Sequence, residues 1–172
     1  MPTVDINRVP SFYHNYIRHV EKDDLREAFS FYPPAVTAFL EDIPEEKWSH
    51  RYAEGKWTIA ELVLHIIDAE RIFSYRALRI ARKDQTPLPG FEENDYVVHS
   101  KASSRTKDSL INELKAVQQS TRLLFESFDE EQLECSGTAS GGSTYVRGIG
   151  FILIGHSLHH QNIIRQRYLA EG

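Results

Sequence analysis

Gly155-His156-Ser157-Leu158-His159-His160-Gln161 gathers three of the chain's eight histidines within five residues, between apolar residues Ile149 to Ile154 and Ile163-Ile164. On a helix, His156 and His160 stand four residues apart and share one face, about one turn from each other. Two imidazoles at that spacing can ligate one metal ion, as in the metalloprotease helix. Two ligands make a weak site, so this chemistry needs a third from elsewhere. His159 lies about 100° around the helix from His160, which places it beside such a site or at the surface.

The third candidate is His65, in Leu62-Val63-Leu64-His65-Ile66-Ile67. Like His156 and His160, it interrupts an apolar stripe where leucine would serve stability better. A buried imidazole without partners for its ring nitrogens costs on the order of 1–3 kcal/mol. Three such residues on facing helices can satisfy one another by binding a single cation, and bundle cores commonly hold sites of this kind. The competing reading makes each histidine a core residue bonded to a carbonyl or carboxylate. That reading suffices for one histidine and weakens with each one added. His14, His19, His50 and His99 have no partner at ligand spacing and read as solvated or structural.

Three neutral imidazoles leave coordination positions open, the mark of a catalytic rather than a structural site. A divalent ion there could acidify a bound water or hold a thiol as thiolate. Nickel, zinc, iron and manganese all accept imidazole, so the ligand set does not choose among them. Glu61 and Asp68 flank His65 as candidate bases, but Glu61 reads better as a helix cap and Asp68 as a partner of Arg71. Glu70 is open to the same pairing. Tyr75, Arg76 and Arg79 could line a pocket for an anionic substrate, although a solvated helix face accounts better for the two arginines. No catalytic side chain is therefore assigned beyond the three histidines.

Four main helices must position these residues. From Pro10 to about Leu40 the helical pattern is interrupted, with a restart at Asp23-Asp24 and a kink or break expected at Pro33-Pro34. Pro44 to Trp48 reads as a short helical turn, followed by polar loop to Lys56. Thr58-x-x-Glu61 is a capping-box pattern ahead of an apolar stripe that predicts a helix to about Lys83. Thr86-Pro87-Leu88-Pro89-Gly90 ends it. Phe91 to Ser103 is a connection of undefined structure. Helices follow over about Arg105 to Phe128 and Val146 to Leu169, with a short turn near Glu130 to Leu133. Ser136 to Tyr145, rich in glycine, serine and threonine, reads as a flexible connection; no strand is expected in the chain. The predicted class is all-α, a four-helix bundle with short extra helical turns, over residues 1–172 as one domain.

The charge balance narrows the function classes. A net charge of −5 and a pI near 5.9 argue against nucleic-acid binding, which leans on clustered Lys and Arg. There is no apolar run of membrane-spanning length and no signal-like apolar stretch at the N-terminus. The lone Cys135 leaves no internal disulfide and fits a reducing cytoplasm; it reads as an incidental thiol.

Trp57-Thr58 leading into Glu61-Leu62-Val63-Leu64-His65-Ile66-Ile67-Asp68-Ala69-Glu70 resembles the second-helix signature of the DinB/YfiT-like family. Leu88-Pro89-Gly90-Phe91 resembles the connection that follows it there, and Gly155-His156-Ser157-Leu158-His159-His160 the C-terminal helix. The resemblance runs from Tyr52 to Tyr168. It implies a four-helix bundle in which His65, His156 and His160 hold a divalent metal. It also implies a metal-dependent enzyme, since members include S-transferases and isomerases that use low-molecular-weight thiols such as bacillithiol or mycothiol. A thiol-dependent S-transferase or a small-molecule hydrolase is the expectation, with a small-molecule substrate and no nucleic-acid partner. A homodimer through exposed aromatics is compatible with it. A non-catalytic metal-binding module is the alternative, and a metal-free helical interaction domain a weaker third.

Overall fold

Side-chain caps set where three of the bundle helices begin in the computed structural model, which describes residues 4–170. Asp24 accepts from the Glu27 amide at 2.8 Å and starts α2, Leu25–Glu41. Thr58 and Glu61 form the reciprocal box, at 3.1 and 2.7 Å, that starts α3, Ile59–Ala81. Thr106 caps α5, Lys107–Glu126, through the Ser109 amide at 3.2 Å. The fourth bundle helix, α7, Val146–Ile163, has no such cap and continues into a π-helical turn over Ile164–Tyr168. Shorter helices are α1 at His14–Ile17, α4 at Glu93–His99 and α6 at Glu130–Glu134.

The predicted all-α four-helix bundle is the fold found. Helix α2 packs on α5 and α7, and α3 packs on the same two, so α2 and α3 occupy opposite corners. Successive helices of an up-and-down bundle are usually neighbours. Here the chain crosses the diagonal through the long connection between residues 42 and 58. The core falls into two clusters. Residues 146–154 of α7 belong to one, and Ile164 and Tyr168 to the other. His156 and His160 therefore lie at the junction, where the α3–α7 seam carries polar side chains between two apolar masses.

Two expectations need correction. Pro33 and Pro34 do not break α2, because they fall on its more exposed side while Phe29, Val36 and Leu40 stay buried in one register across them. Packing on both sides of the prolines outweighs the two lost backbone bonds. Ser136 to Tyr145 is a β-hairpin rather than a flexible loop: β1 (Ser136–Ala139) pairs antiparallel with β2 (Gly142–Tyr145). Its two-residue turn, Ser140-Gly141, has positive φ at both positions (51° and 76°), the backbone that matches strand twist in tight hairpins. The connection from Phe91 to Ser103, whose structure the sequence left open, carries α4 and leads into a 3-10 turn at Ala102–Ser104.

Helix α1 crosses α7 so closely that a Cβ built on Gly155 would lie 2.0 Å from the Tyr16 carbonyl oxygen. Backbone cannot yield as a flexible side chain would. Gly155→Ala is expected to push α1 off α7 and lower stability by about 1–3 kcal/mol or more, as overpacking does. A thermal melt beside wild type checks this; an unchanged melting temperature would mean the two helices part at no cost.

Candidate metal centre

Helix α3 delivers His65 two turns after its cap, and α7 delivers His156 and His160 one turn apart. Their Nε2 atoms converge. His65 Nε2 lies 3.0 Å from His156 Nε2, and His160 Nε2 lies 2.9 Å from the same atom. One ligand atom from each ring falls within 4.8 Å of the other two. His156 Nε2 has a single in-plane lone pair or a single proton, so it can complete only one of these contacts as a hydrogen bond. A shared cation resolves that conflict. Two imidazoles bonded to one ion at about 2.1 Å stand about 3.0–3.4 Å apart for right-angled to tetrahedral geometry. The two separations from His156 sit at or just under the lower end of that range, and three imidazoles are donors a divalent ion accepts, so the donor set fits one.

Burial prepares the rings for this role. Desolvation holds His65, 7% exposed, down to a pKa of about 4. His156 and His160 lie well below the usual imidazole value, first through desolvation and then through the charge each neighbouring histidine would carry. All three rings are therefore neutral at pH 7, the state a metal ligand requires. With Nε2 turned to the cluster, Nδ1 of His160 is buried without a hydrogen-bond partner among the described residues.

The cluster opens into a cavity of about 510 Å³, whose wall includes Tyr13, Tyr16, Trp57 and Phe73 beside the three ligand candidates. Trp57 packs its ring 4.9 Å from that of His65 and also borders a second cavity of about 250 Å³, which likewise reaches His160. The Tyr168 hydroxyl donates to the Trp57 carbonyl at 2.7 Å, so the π-helical turn after α7 ties down the residue between the two cavities. Tyr168→Phe is expected to cost about 1–2 kcal/mol through that buried carbonyl and to loosen Trp57. Tryptophan fluorescence quenching by iodide, increased relative to wild type, would register it; unchanged quenching and melting would show the bond to be idle.

Other residues singled out by the sequence take different places. His159 stays outside the cluster, as its angle required, with its ring 5.1 Å from Tyr16 and 5.9 Å from His19. His14 meets the Val9 carbonyl and His99 that of Asp95, both structural uses. Glu61 serves the cap. Asp68 is half-buried, and burial raises its pKa against the opposing pull of Arg71; it does not line the cavity. Arg79 is paired with Asp84 and Tyr75. Cys135 Sγ donates to the Glu131 carbonyl.

Arg76 overturns its expected solvated face. It is 2% exposed and donates to the Pro89 carbonyl and to Ser140 Oγ, bridging α3 to the loop after it and to the hairpin tip. The reason lies in the hairpin, which covers α3 where a flexible loop would have left solvent. Sequence reasoning also missed Tyr13, Tyr16, Phe73 and Glu93 on the cavity wall. The aromatic positions carried a signal, since Tyr13 and Tyr16 are three apart and so fall on one helical face.

A model of the DinB superfamily matches residues 28–164, most of the chain. A protein of Oceanobacillus iheyensis named as a candidate metal-dependent hydrolase is 29% identical over 98 residues, and the chain spans 56% of that relative's length. One of Geobacillus thermodenitrificans with the same kind of name is 25% identical over 167 residues, 93% of each chain. Among solved structures, YfiT from Bacillus subtilis, described as a candidate metal-dependent hydrolase with an unusual four-helix bundle topology, aligns at a TM-score of 0.74 and 14% identity over 84% of this chain and 83% of that one. A mycothiol-dependent maleylpyruvate isomerase aligns at 0.69 and 13% identity, over 85% of this chain and 61% of that one. At such identities the two structures speak for the fold alone.

Proposed function

The chain belongs to the DinB superfamily, and from that premise we propose that it is a metal-dependent enzyme in which His65, His156 and His160 hold one divalent ion. The observation that carries this reading is where the three Nε2 atoms converge: on the wall of a cavity of about 510 Å³ rather than inside a closed core. A structural ion is best served by a full protein shell, whereas a catalytic one needs positions open to substrate. That contrast favours an enzyme over a non-catalytic metal-binding module.

A divalent ion bound there would act as a Lewis acid and would acidify a water or a low-molecular-weight thiol held beside it. The chain's own residues supply the rest. Trp57 packs at a tilt against His65 and Tyr16 edge-on against His156, and these contacts shield the ligand rings from bulk water. Phe73 and Ala69 extend the wall with apolar surface for a substrate body. Hydrolysis of a small molecule has the names of the sequence relatives behind it, and thiol transfer has the thiol-dependent fold neighbour. Nickel, zinc, iron and manganese remain equal candidates on ligand chemistry.

The test is turnover by protein loaded with each of these metals, against small esters and amides and against electrophiles offered with a low-molecular-weight thiol. Activity should vanish on chelation and return with one equivalent of metal. Loaded protein that turns over none of these, while binding metal one to one, would overturn the enzymatic reading and leave the structural one.

A further inference from the structure

Away from the histidine cluster, the cavity is backed by a cation with no carboxylate partner among the described residues. His65, Ala69, Phe73 and Arg76 follow one another along α3 at steps of four, four and three, so they share one face. The first three line the cavity. Eleven residues separate His65 from Arg76, an axial rise of about 16 Å. Arg76 is buried, its two hydrogen-bond acceptors are neutral, and no carboxylate pairs with it among the described residues. Its guanidinium lies 4.9 Å from the Phe73 ring centroid and 6.0 Å from that of Phe91, both on the cavity wall. A desolvated charge held only by neutral groups remains short of a counter-charge.

Tyr13 brings that charge to the cavity surface. It lines the cavity, and its ring meets Phe73 edge-on at 5.7 Å. Tyr13 and Arg76 border the same small recess behind Phe73, and there desolvation holds the Tyr13 phenol above its usual range while the Arg76 charge pulls against that rise. A phenol that burial keeps protonated has its O–H free to donate, and a neighbouring cation strengthens that donation to an oxyanion.

We propose that the Tyr13 hydroxyl, backed by Arg76, is an anion-binding site that anchors a carboxylate or similar oxyanion of the substrate, with the molecule's other end at the histidine cluster. The substrate class is thus an organic anion with an apolar or aromatic body, matched to Phe73 and Phe91. The inference rests on reading this cavity as the substrate chamber of the proposed metal centre. Glu93, exposed and also on the wall, is a like charge that weakens anion binding from the mouth.

Calorimetric titration of the full chain with phenylacetate and its uncharged counterpart phenylacetamide tests this, with and without one equivalent of zinc. Phenylacetate should bind about tenfold more tightly or better, the discrimination expected of a charge-assisted hydrogen bond. The preference should persist in metal-free protein. Arg76→Gln should erase it, and the milder Tyr13→Phe should remove most of it, both retaining zinc one to one. Glu93→Gln should tighten phenylacetate several-fold. Equal binding of acid and amide, a preference unchanged in Tyr13→Phe and Arg76→Gln, or a preference seen only with zinc bound would overturn the proposal. Wild type that prefers phenylacetate yet binds no zinc would instead sink the metal reading and leave the anion site standing.

Discussion

Replacing His156 with alanine is expected to weaken divalent-metal binding by at least about 100-fold. His156 Nε2 is the atom that approaches both other rings, at 3.0 and 2.9 Å, so its removal leaves two donors from different helices with nothing between them. Loss of an outer hydrogen bond to a ligand already costs about 10–100-fold, and loss of a ligand itself should exceed that. Wild type titrated to 100 times its dissociation constant should gain about 2.7 kcal/mol of stability, and the variant almost none. His159→Ala, outside the cluster, should keep the full gain. Metal analysis by mass spectrometry with parallel thermal melts reads both. A plain core role for His156 predicts a different pattern, in which the variant is destabilised equally with and without metal. One-to-one metal retained in His156→Ala would end the three-ligand assignment.

The fold was legible because its signals are local. The Thr58-Glu61 box, the Asp23-Asp24 restart and the apolar stripes of α3, α5 and α7 each depend on residues within a turn or two of one another. His65, His156 and His160 were legible for a related reason: each breaks an apolar stripe, and a break that lowers stability asks for a chemical explanation. Their convergence was not readable, because it depends on α3 and α7 sharing a seam, a fact of packing set by α2 and α3 taking opposite corners. The hairpin hid in Ser-Gly composition, since Ser140-Gly141 lacks the Asn-Gly or Asp-Gly turn signal while adopting the same positive-φ backbone. From that one miss followed the other. Without the hairpin tip, Arg76 had nothing to bury it and read as a surface cation.

The metal-free protein should lose stability steeply as pH falls from about 6.5 to 4. His65 is neutral in the folded chain down to a pKa of about 4, while in the unfolded chain it takes a proton near 6.5. In that window the unfolded state binds more protons, so acid favours unfolding. At about 1.4 kcal/mol per pKa unit, His65 alone corresponds to roughly 3 kcal/mol, and His156 and His160, lowered likewise by desolvation, act in the same direction. Glu70 opposes them. It is buried between α3 and α5 beside Thr121, and desolvation raises its carboxyl to a pKa of about 7 from 4.5. Here the folded state holds the extra proton, so its contribution is present below pH 4.5 and is lost as pH rises to 7. Its size is also roughly 3 kcal/mol, enough to offset His65 but not all three imidazoles. Net stability should therefore still rise from pH 4 to 6.5. Glu70→Gln, which retains a hydrogen-bonding group of the same shape without the charge, should be more stable than wild type at pH 7.5 and show a steeper rise across the acid range. Urea unfolding midpoints at half-unit pH steps, in the presence of chelator, would measure both slopes. A flat wild-type profile between pH 4 and 6.5 would mean that the three rings are solvated in the metal-free chain. A Glu70→Gln variant no more stable at pH 7.5 would mean that this carboxylate ionises without cost where it sits.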